Sequence, residues 1–278
     1  MKILITGAQG MLGTALQDVF RNYELVVLDQ TQLDITRSSA VAEKIAEISP
    51  QLILNAAAYT NVDGAESNRT AAFAVNETGV RNLAVAAKSC EATMVHYSTD
   101  YVFPGTDARG YTEDHQPGPA VNVYGASKLA GEQALAQSGA RYYLLRTAWL
   151  YGPRGKNFVD TMLQLSETKS TLAVVNDQHG SPTFTYDVAR ATATIISQYE
   201  PGIYHAVNQG STTWHAFAQR IFKQVGREVV VTAVPSAEFP RPAKRPQYSM
   251  LQNTRGPALR SWEAALDDYL KNYQSKQS

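Results

Sequence analysis

Cysteine is nearly missing. Cys90 is the only one among 278 residues, which excludes an intrachain disulfide framework and fits a reducing compartment. Charge of one sign is missing too, since 25 basic side chains balance 25 acidic ones. No broad polyanion-binding surface is therefore expected, and nucleic acid is not an expected partner, although a local basic cluster suffices to grip one phosphate group. No apolar run approaches membrane-spanning length, and the opening MKILITG passes straight into a strand and a glycine loop, leaving no room for a signal-peptide apolar region. The five histidines show no metal-ligand spacing, so no metal is expected. These absences imply a cytoplasmic protein with no membrane partner. With 44% apolar residues it has material for an ordinary core, in one large domain or a domain with a smaller appendage.

What is present alternates. KILIT, ELVVLD, QLILNAAA, TMVHYST and RYYLLRTAWLY read as nearly continuous apolar strands. Between them lie helical patterns around GMLGTALQDVF, SAVAEKIAEI, AAFAVNETGVRNLAVAAK and NVYGASKLAGEQAL. Strands that are apolar throughout and separated by helices imply a parallel sheet covered on both faces, a Rossmann-type doubly wound α/β fold. After about Tyr151 the pattern loosens into short strands at LAVVN, GIYHAV and VVVTAV among helical stretches. The expected organisation is a dinucleotide-binding domain over 1–150 and a smaller interwoven α/β substrate lobe over 151–278, with the chain crossing back to the first domain. FPRPAKRPQYS reads as loop, and SWEAALDDYL as a last helix capped by Ser261.

TGAQGMLG sets Gly7, Gly10 and Gly13 three apart between the first strand and the first helix. Glycine there permits the tight turn, lets backbone N–H groups approach a pyrophosphate and allows close helix packing, while the helix N-terminus favours negative charge. A dinucleotide is the natural ligand. Asp29 follows about twenty residues on, where a carboxylate accepts a ribose hydroxyl; the alternative is a turn-forming aspartate. The first role leans toward NADH. Arg37 could face a 2′-phosphate, but nothing in the sequence fixes its direction, so NADPH and NADH are both carried forward. Asp34 and Ile35 fall where a loop flanks the adenine.

Tyr124 and Lys128 sit one helical turn apart. A reductase supplies a hydride to a carbonyl carbon and a proton to its oxygen, and an ammonium beside a phenol is expected to lower its pKa toward neutrality. Spacing alone decides little: fifteen tyrosines, with lysine at about one residue in thirty, give roughly half a chance match. Context adds weight, because HYSTDYVF ends the preceding strand with Ser98 and Thr99, where open α/β sheets bind ligands.

TGAQGMLG, NAAAYTNVD, HYSTDYVFPG and NVYGASKLAGE resemble the extended short-chain dehydrogenase/reductases that act on nucleotide sugars. RTAWLYG, NFVDTML, VVNDQHGSPT and RPQYSML extend the resemblance, within that group, to the dTDP-4-dehydrorhamnose reductases over nearly the whole chain. The resemblance implies NAD(P)H-dependent reduction of the C4 ketone of a dTDP-sugar, with Thr99, Tyr124 and Lys128 as the catalytic triad. Gly7, Gln9, Gly10, Met11 and Leu12 would line the pyrophosphate turn, and Ala56, Ala57 and Ala58 would border the cofactor. Val62, Thr99, Asp100, Tyr124, Trp149, Asn157, Gln178 and Arg245 would meet the substrate, with Tyr186 and His179 as weaker neighbours. Arg241, Lys244 and Arg245 form the local basic cluster suited to a diphosphate; a solvated surface loop is the alternative for Arg241 and Lys244, and plain core the alternative for Trp149.

Related dehydratases carry T-D-E where this chain has Thr99, Asp100 and Tyr101, so the carboxylate for water elimination is missing. A nucleotide-sugar epimerase, another dTDP-deoxysugar 4-ketoreductase and a noncatalytic cofactor-binding subunit remain as alternatives. A homodimer is compatible with the resemblance. Some relatives bridge theirs through Mg²⁺ on first-helix glutamates, however, and Thr14 and Ala15 stand just after the glycine turn here.

Overall fold

Alternating side chains along each strand decide the layers. In the computed structural model, which describes residues 1–274, the first half runs β1 (Lys2–Thr6), α1 (Met11–Val19), β2 (Glu24–Leu28), α2 (Ser38–Ile48), β3 (Leu52–Asn55), α3 (Val62–Ser67), α4 (Arg69–Phe73), α5 (Val80–Ser89), β4 (Thr93–Thr99), α6 (Val123–Gln137) and β5 (Tyr142–Thr147). The second half adds β6 (Leu150–Tyr151), α7 (Phe158–Leu165), β7 (Thr171–Val175), β8 (His179–Gly180), β9 (Thr183–Phe184), α8 (Thr185–Gln198) and β10 (Gly202–His205). It closes with β11 (Thr212–Thr213), α9 (Trp214–Val225), β12 (Val230–Val234) and α10 (Trp262–Gln274).

Six strands form one parallel sheet in the order β2-β1-β3-β4-β5-β10. Ile3, Ile5, Leu54 and Val95 point to one face, where Leu12 and Leu16 of α1 and Val188 and Ile195 of α8 cover them. Leu4, Ile53, Met94 and Leu144 point to the other, beneath α2, α5 and α6. The smaller lobe packs α7, α9 and α10 around Tyr151, Phe217 and Leu266, beside the parallel β7–β12 pair. Burial on both faces explains why these strands read as unbroken apolar runs.

Two features depart from the sequence reading. Gly202–His205, grouped above with the second-half strands, pairs with β5 at the edge of the main sheet, and α8 returns with it to pack on α1. The single alanine-rich helix is instead α4, a π-helical turn (Ala74–Gly79) and α5. The turn carries Asn76, whose amide donates to Tyr59 O (3.0 Å) and Ser127 Oγ (2.9 Å) while accepting from Tyr59 N (2.9 Å). That buried set of bonds holds the wider turn in place. Ser261 does cap α10, accepting from Ala264 N at 3.2 Å. Among the described residues no helix is long and apolar enough to cross a membrane.

Candidate active site

After β1 the chain winds one way to β2, and from β3 onward it winds the other way to β4, β5 and β10. At such a switch point the connections part and leave a crevice at the strand C-termini. A cleft of about 710 Å³ opens there. Gly7 adopts φ +66°, and a Cβ on it would lie 2.6 Å from Ala56 C and Ala57 N. A Cβ on Gly13 would lie 2.3 Å from Gly7 O, so α1 packs directly on the turn it grows from. Gly10 caps α1 without a side-chain bond, and the first turn holds no acid. The leading N–H groups and the positive end of the helix are left for an anion. Gly7, Gln9, Gly10, Met11, Leu12, Asp29, Asp34, Ile35 and Ala56 to Ala58 all line this cleft.

Asp29 is a turn-former as well as a wall residue. Its Oδ1 accepts from Thr31 N (2.8 Å) and Thr31 Oγ1 (2.6 Å), and Oδ2 accepts from Gln9 Nε2. These bonds, the Thr31 hydroxyl first, hold its carboxyl below the usual range. Arg37 stands at the start of α2 and does not line the cleft.

The opposite wall is made by α6 against β4. Asn122 caps α6 through Oδ1, which accepts from Gly125 N at 2.8 Å. A Cβ on Gly125 would stand 2.2 Å from Tyr101 O, and one on Gly131 would stand 2.0 Å from Asn76 O, so the two glycines draw α6 inward. Tyr124 and Lys128 thereby reach the C-terminal end of β4 beside Thr99. Thr99 Oγ1 donates to Asp100 Oδ1 at 2.9 Å and is hydrogen-bonded to Tyr124.

The expected lowering of the tyrosine pKa is absent. Tyr124 keeps part of its ring open to the cleft, yet burial of its hydroxyl end pushes it up to about 12, against the Thr99 bond, with Asp100 adding to the rise. Lys128 does not offset this, because its Nζ donates to Tyr97 O (2.6 Å) and lies 3.3 Å from His96 Nε2. Helical spacing put the two side chains on one face; a backbone carbonyl then captured the amine. Burial also brings Lys128 down to about 8.

Among the described residues two buried hydroxyl oxygens on the cleft wall, Ser98 Oγ and Thr147 Oγ1, have no hydrogen-bond partner. Burial pushes the Asp100 carboxyl up to about 7. Unpaired buried groups in a cleft call for a ligand rich in hydroxyls. Together with the glycine turn they fit a sugar-bearing dinucleotide.

The sequence profile described as the RmlD substrate binding domain matches residues 1–275. A dTDP-4-dehydrorhamnose reductase of Streptomyces griseus is 44% identical over 282 aligned positions, covering 95% of this chain and 91% of that protein. The chain belongs to the dTDP-4-dehydrorhamnose reductase family. A crystal structure of such a reductase from Clostridium acetobutylicum superposes with a TM-score of 0.96 at 42% identity, covering 99% of this chain and 100% of the other. One from Bacillus anthracis, in complex with NADP, gives 0.94 at 41%, covering 98% and 99%.

Not every residue suggested by that family's motifs lines the cleft. Trp149 does, at φ +43°, stacked on Trp214 with ring centroids 3.4 Å apart and Gly180 packed beneath it. Val62, Asn157, Gln178 and Arg245 lie off the wall. Val62 opens α3. Asn157 caps α7, and its Nδ2 donates to Gly152 O at 3.0 Å, so its amide is consumed locally. Gln178 bridges Ser236 (2.8 Å) and Trp214 Nε1 (3.2 Å), supporting the tryptophan pair from behind. Arg245 donates to Asp63 Oδ1 (3.0 Å) and Ala243 O (2.7 Å), and Arg241 lies 3.8 Å from the same carboxylate. Lys244 is exposed. Tyr186 bonds Asp18 on α1, and His179 stacks on Tyr248.

Sequence reasoning passed over Trp214, Asp63 and Lys156. Among the described residues Lys156 and Lys128 are the two basic residues on the cleft wall, and Gly155 beside Lys156 packs against Met11. Glycine next to lysine in PRGKN was the available signal.

Proposed function

We propose that this chain reduces the C4 ketone of dTDP-4-dehydro-L-rhamnose to dTDP-L-rhamnose with NADPH or NADH, the last step of dTDP-rhamnose biosynthesis. The observation that carries the reading is the meeting of Thr99, Tyr124 and Lys128 across one cleft from the glycine turn. The family relationship supplies the substrate class, and the NADP in the Bacillus anthracis relative supports the cofactor.

A reduced nicotinamide bound in the cleft supplies the hydride. Gly7, Gln9, Gly10, Met11 and Leu12 hold the pyrophosphate, with Lys156 adding charge; Asp29, Asp34, Ile35 and Ala56 to Ala58 border the rest of the dinucleotide. Tyr124, raised to about 12, is a neutral phenol at physiological pH and therefore holds the proton that the sugar C4 oxygen requires. Thr99 orients that oxygen, and Lys128 holds cofactor ribose. Asp100 and Trp149 contact the sugar. Val62, Asn157, Gln178 and Arg245 complete the substrate side, Arg245 from the 241–245 loop that Asp63 ties to α3 beside Val62.

Residues 1–150 hold mainly the dinucleotide and 151–278 mainly the sugar nucleotide, with α8 and β10 returning to the first. A cytoplasmic location goes with this reading through the family relationship. Tyr124→Phe tests the assignment: turnover should fall by roughly 10² to 10⁴-fold with cofactor affinity unchanged. Near-normal turnover would remove Tyr124 from the mechanism.

A further inference from the structure

Beneath Lys128 lies a buried chain of polar side chains that the reaction above leaves unused. Asn55, at the end of β3, is fixed in orientation because its Oδ1 accepts from Ala57 N (3.2 Å) and from Thr6 Oγ1 (2.8 Å). A backbone N–H only donates, so the oxygen must face it. Asn55 Nδ2 is thereby turned toward His96 Nδ1, 3.0 Å away. An amide NH₂ also only donates, which makes His96 Nδ1 the acceptor and leaves it without a proton. His96 is fully buried and held neutral, burial pushing its pKa well below the usual value. A neutral imidazole lacking the Nδ1 proton carries it on Nε2.

That Nε2–H faces Lys128 Nζ at 3.3 Å. A neutral amine accepts it and still donates to Tyr97 O, whereas an ammonium would meet it donor to donor. Burial outweighs the one charge that opposes it: Glu132 of α6 favours the ammonium, but both its oxygens are gripped by Arg146 of β5, at 3.0 and 2.7 Å. Tyr124, one turn earlier, is an un-ionised phenol, and β4 presents His96 and the Tyr97 carbonyl. Asp100, past the end of β4, is engaged by Thr99. Lys128, 2% exposed, forms no salt bridge among the described residues.

We propose that His96, held by Asn55 in the Nε2–H tautomer, weakens the hold of Lys128 on its proton, so that in mildly alkaline solution docking of the nicotinamide cofactor takes up one proton on Lys128. His96 is thus a positioning residue that acts through Lys128, and the coupling rests on the cofactor reading of the cleft. The proton comes from solvent; no covalent bond to carbon changes. Ribose hydroxyls accept from the ammonium once it forms, and the anionic pyrophosphate favours it.

Isotope labelling of the histidine ring nitrogens in the full chain reads the tautomer by NMR. His96 should show a protonated Nε2 and a bare Nδ1; a protonated Nδ1 or an imidazolium would overturn the proposal. Calorimetric titration with NADPH, in buffers of different ionisation heat, counts protons. Uptake should approach one per site at about pH 9, and Kd should weaken about tenfold per pH unit above the Lys128 value near 8. Asn55→Asp accepts a protonated Nδ1, which turns Nε2 into an acceptor for the ammonium. In that variant uptake at about pH 9 should fall to about half or less, and the weakening should begin at least about one pH unit higher. His96→Leu, which removes the facing N–H, should shift both in the same direction. NADPH binding without proton uptake in the wild type, or unchanged uptake in a folded Asn55→Asp protein, would overturn the inference. Failure of NADPH to bind at any pH would instead refute the cofactor reading, while the tautomer spectrum still decides the role of His96.

Discussion

Gly13→Ala adds one methyl group where α1 lies closest to the turn that precedes it. The new Cβ would stand 2.3 Å from Gly7 O and 2.9 Å from Ala8 Cα, both backbone atoms that no rotamer change can move aside. Relieving the clash requires α1 to recede by at least about 0.7 Å in a close-packed interior. On stability two effects oppose each other: alanine gains about 1 kcal/mol over glycine inside a helix, and overpacking costs about 1–3 kcal/mol. The net loss is therefore small, lowering Tm by a few degrees at most. Cofactor binding suffers more, because the N–H groups of Met11 and Leu12 move with the helix. Hydrogen bonds of about 2.9 Å lengthened by such a shift fall outside the effective range. Losing two charge-assisted bonds, at about 1.5–3 kcal/mol each, raises the NADPH Kd by at least about 100-fold. Fluorescence titration with NADPH and calorimetric unfolding read the two effects separately. Gly226→Ala is the control: at φ +67°, with nothing within 4 Å of the added Cβ, it should cost stability and leave NADPH affinity alone. Wild-type affinity in Gly13→Ala would refute the placement of the pyrophosphate on this turn.

Three further outcomes are expected. Because burial raises the Asp100 carboxyl to about 7, well above its unfolded value of 3.8, its contribution to stability is complete below the unfolded value and is lost as pH rises through the folded one. Urea unfolding at about pH 5 and 8 should show the wild type losing a few kcal/mol relative to Asp100→Asn, and a pH-independent difference would contradict this. Thr99→Val removes the hydroxyl that links Asp100 to Tyr124, so steady-state kcat should drop by about 10 to 100-fold while Thr99→Ser recovers most of it; equal damage from both would assign Thr99 to packing alone. Lys156→Ala should raise the NADPH Kd by about fivefold and weaken its salt dependence, an effect measurable by titration at two ionic strengths.

The doubly wound half of the fold was legible because each buried strand is apolar throughout and each helix carries its own period. Glycine spacing likewise exposed the turn, since a Cβ at Gly7 or Gly13 has nowhere to go. Where side chains compete for partners the sequence was less informative. Tyr124 and Lys128 do share a helix face, but nothing in their spacing says that Tyr97 O takes the amine. Asn157 and Arg245 read as pocket residues, yet a helix cap holds one and Asp63 the other, both set by contacts with distant chain or local loop geometry. β10 escaped the main sheet in the sequence reading because its run GIYH is short and arrives only after the irregular second lobe has begun.

The central claim is chemical, and purified protein mixed with dTDP-4-dehydro-L-rhamnose and either NADPH or NADH tests it most directly. Loss of reduced-nicotinamide absorbance, with dTDP-L-rhamnose identified as the product, is the predicted result, and the two rates rank the cofactors. Cofactor binding with no oxidation, or turnover of the nucleotide sugar that consumes no added reductant, would contradict the account.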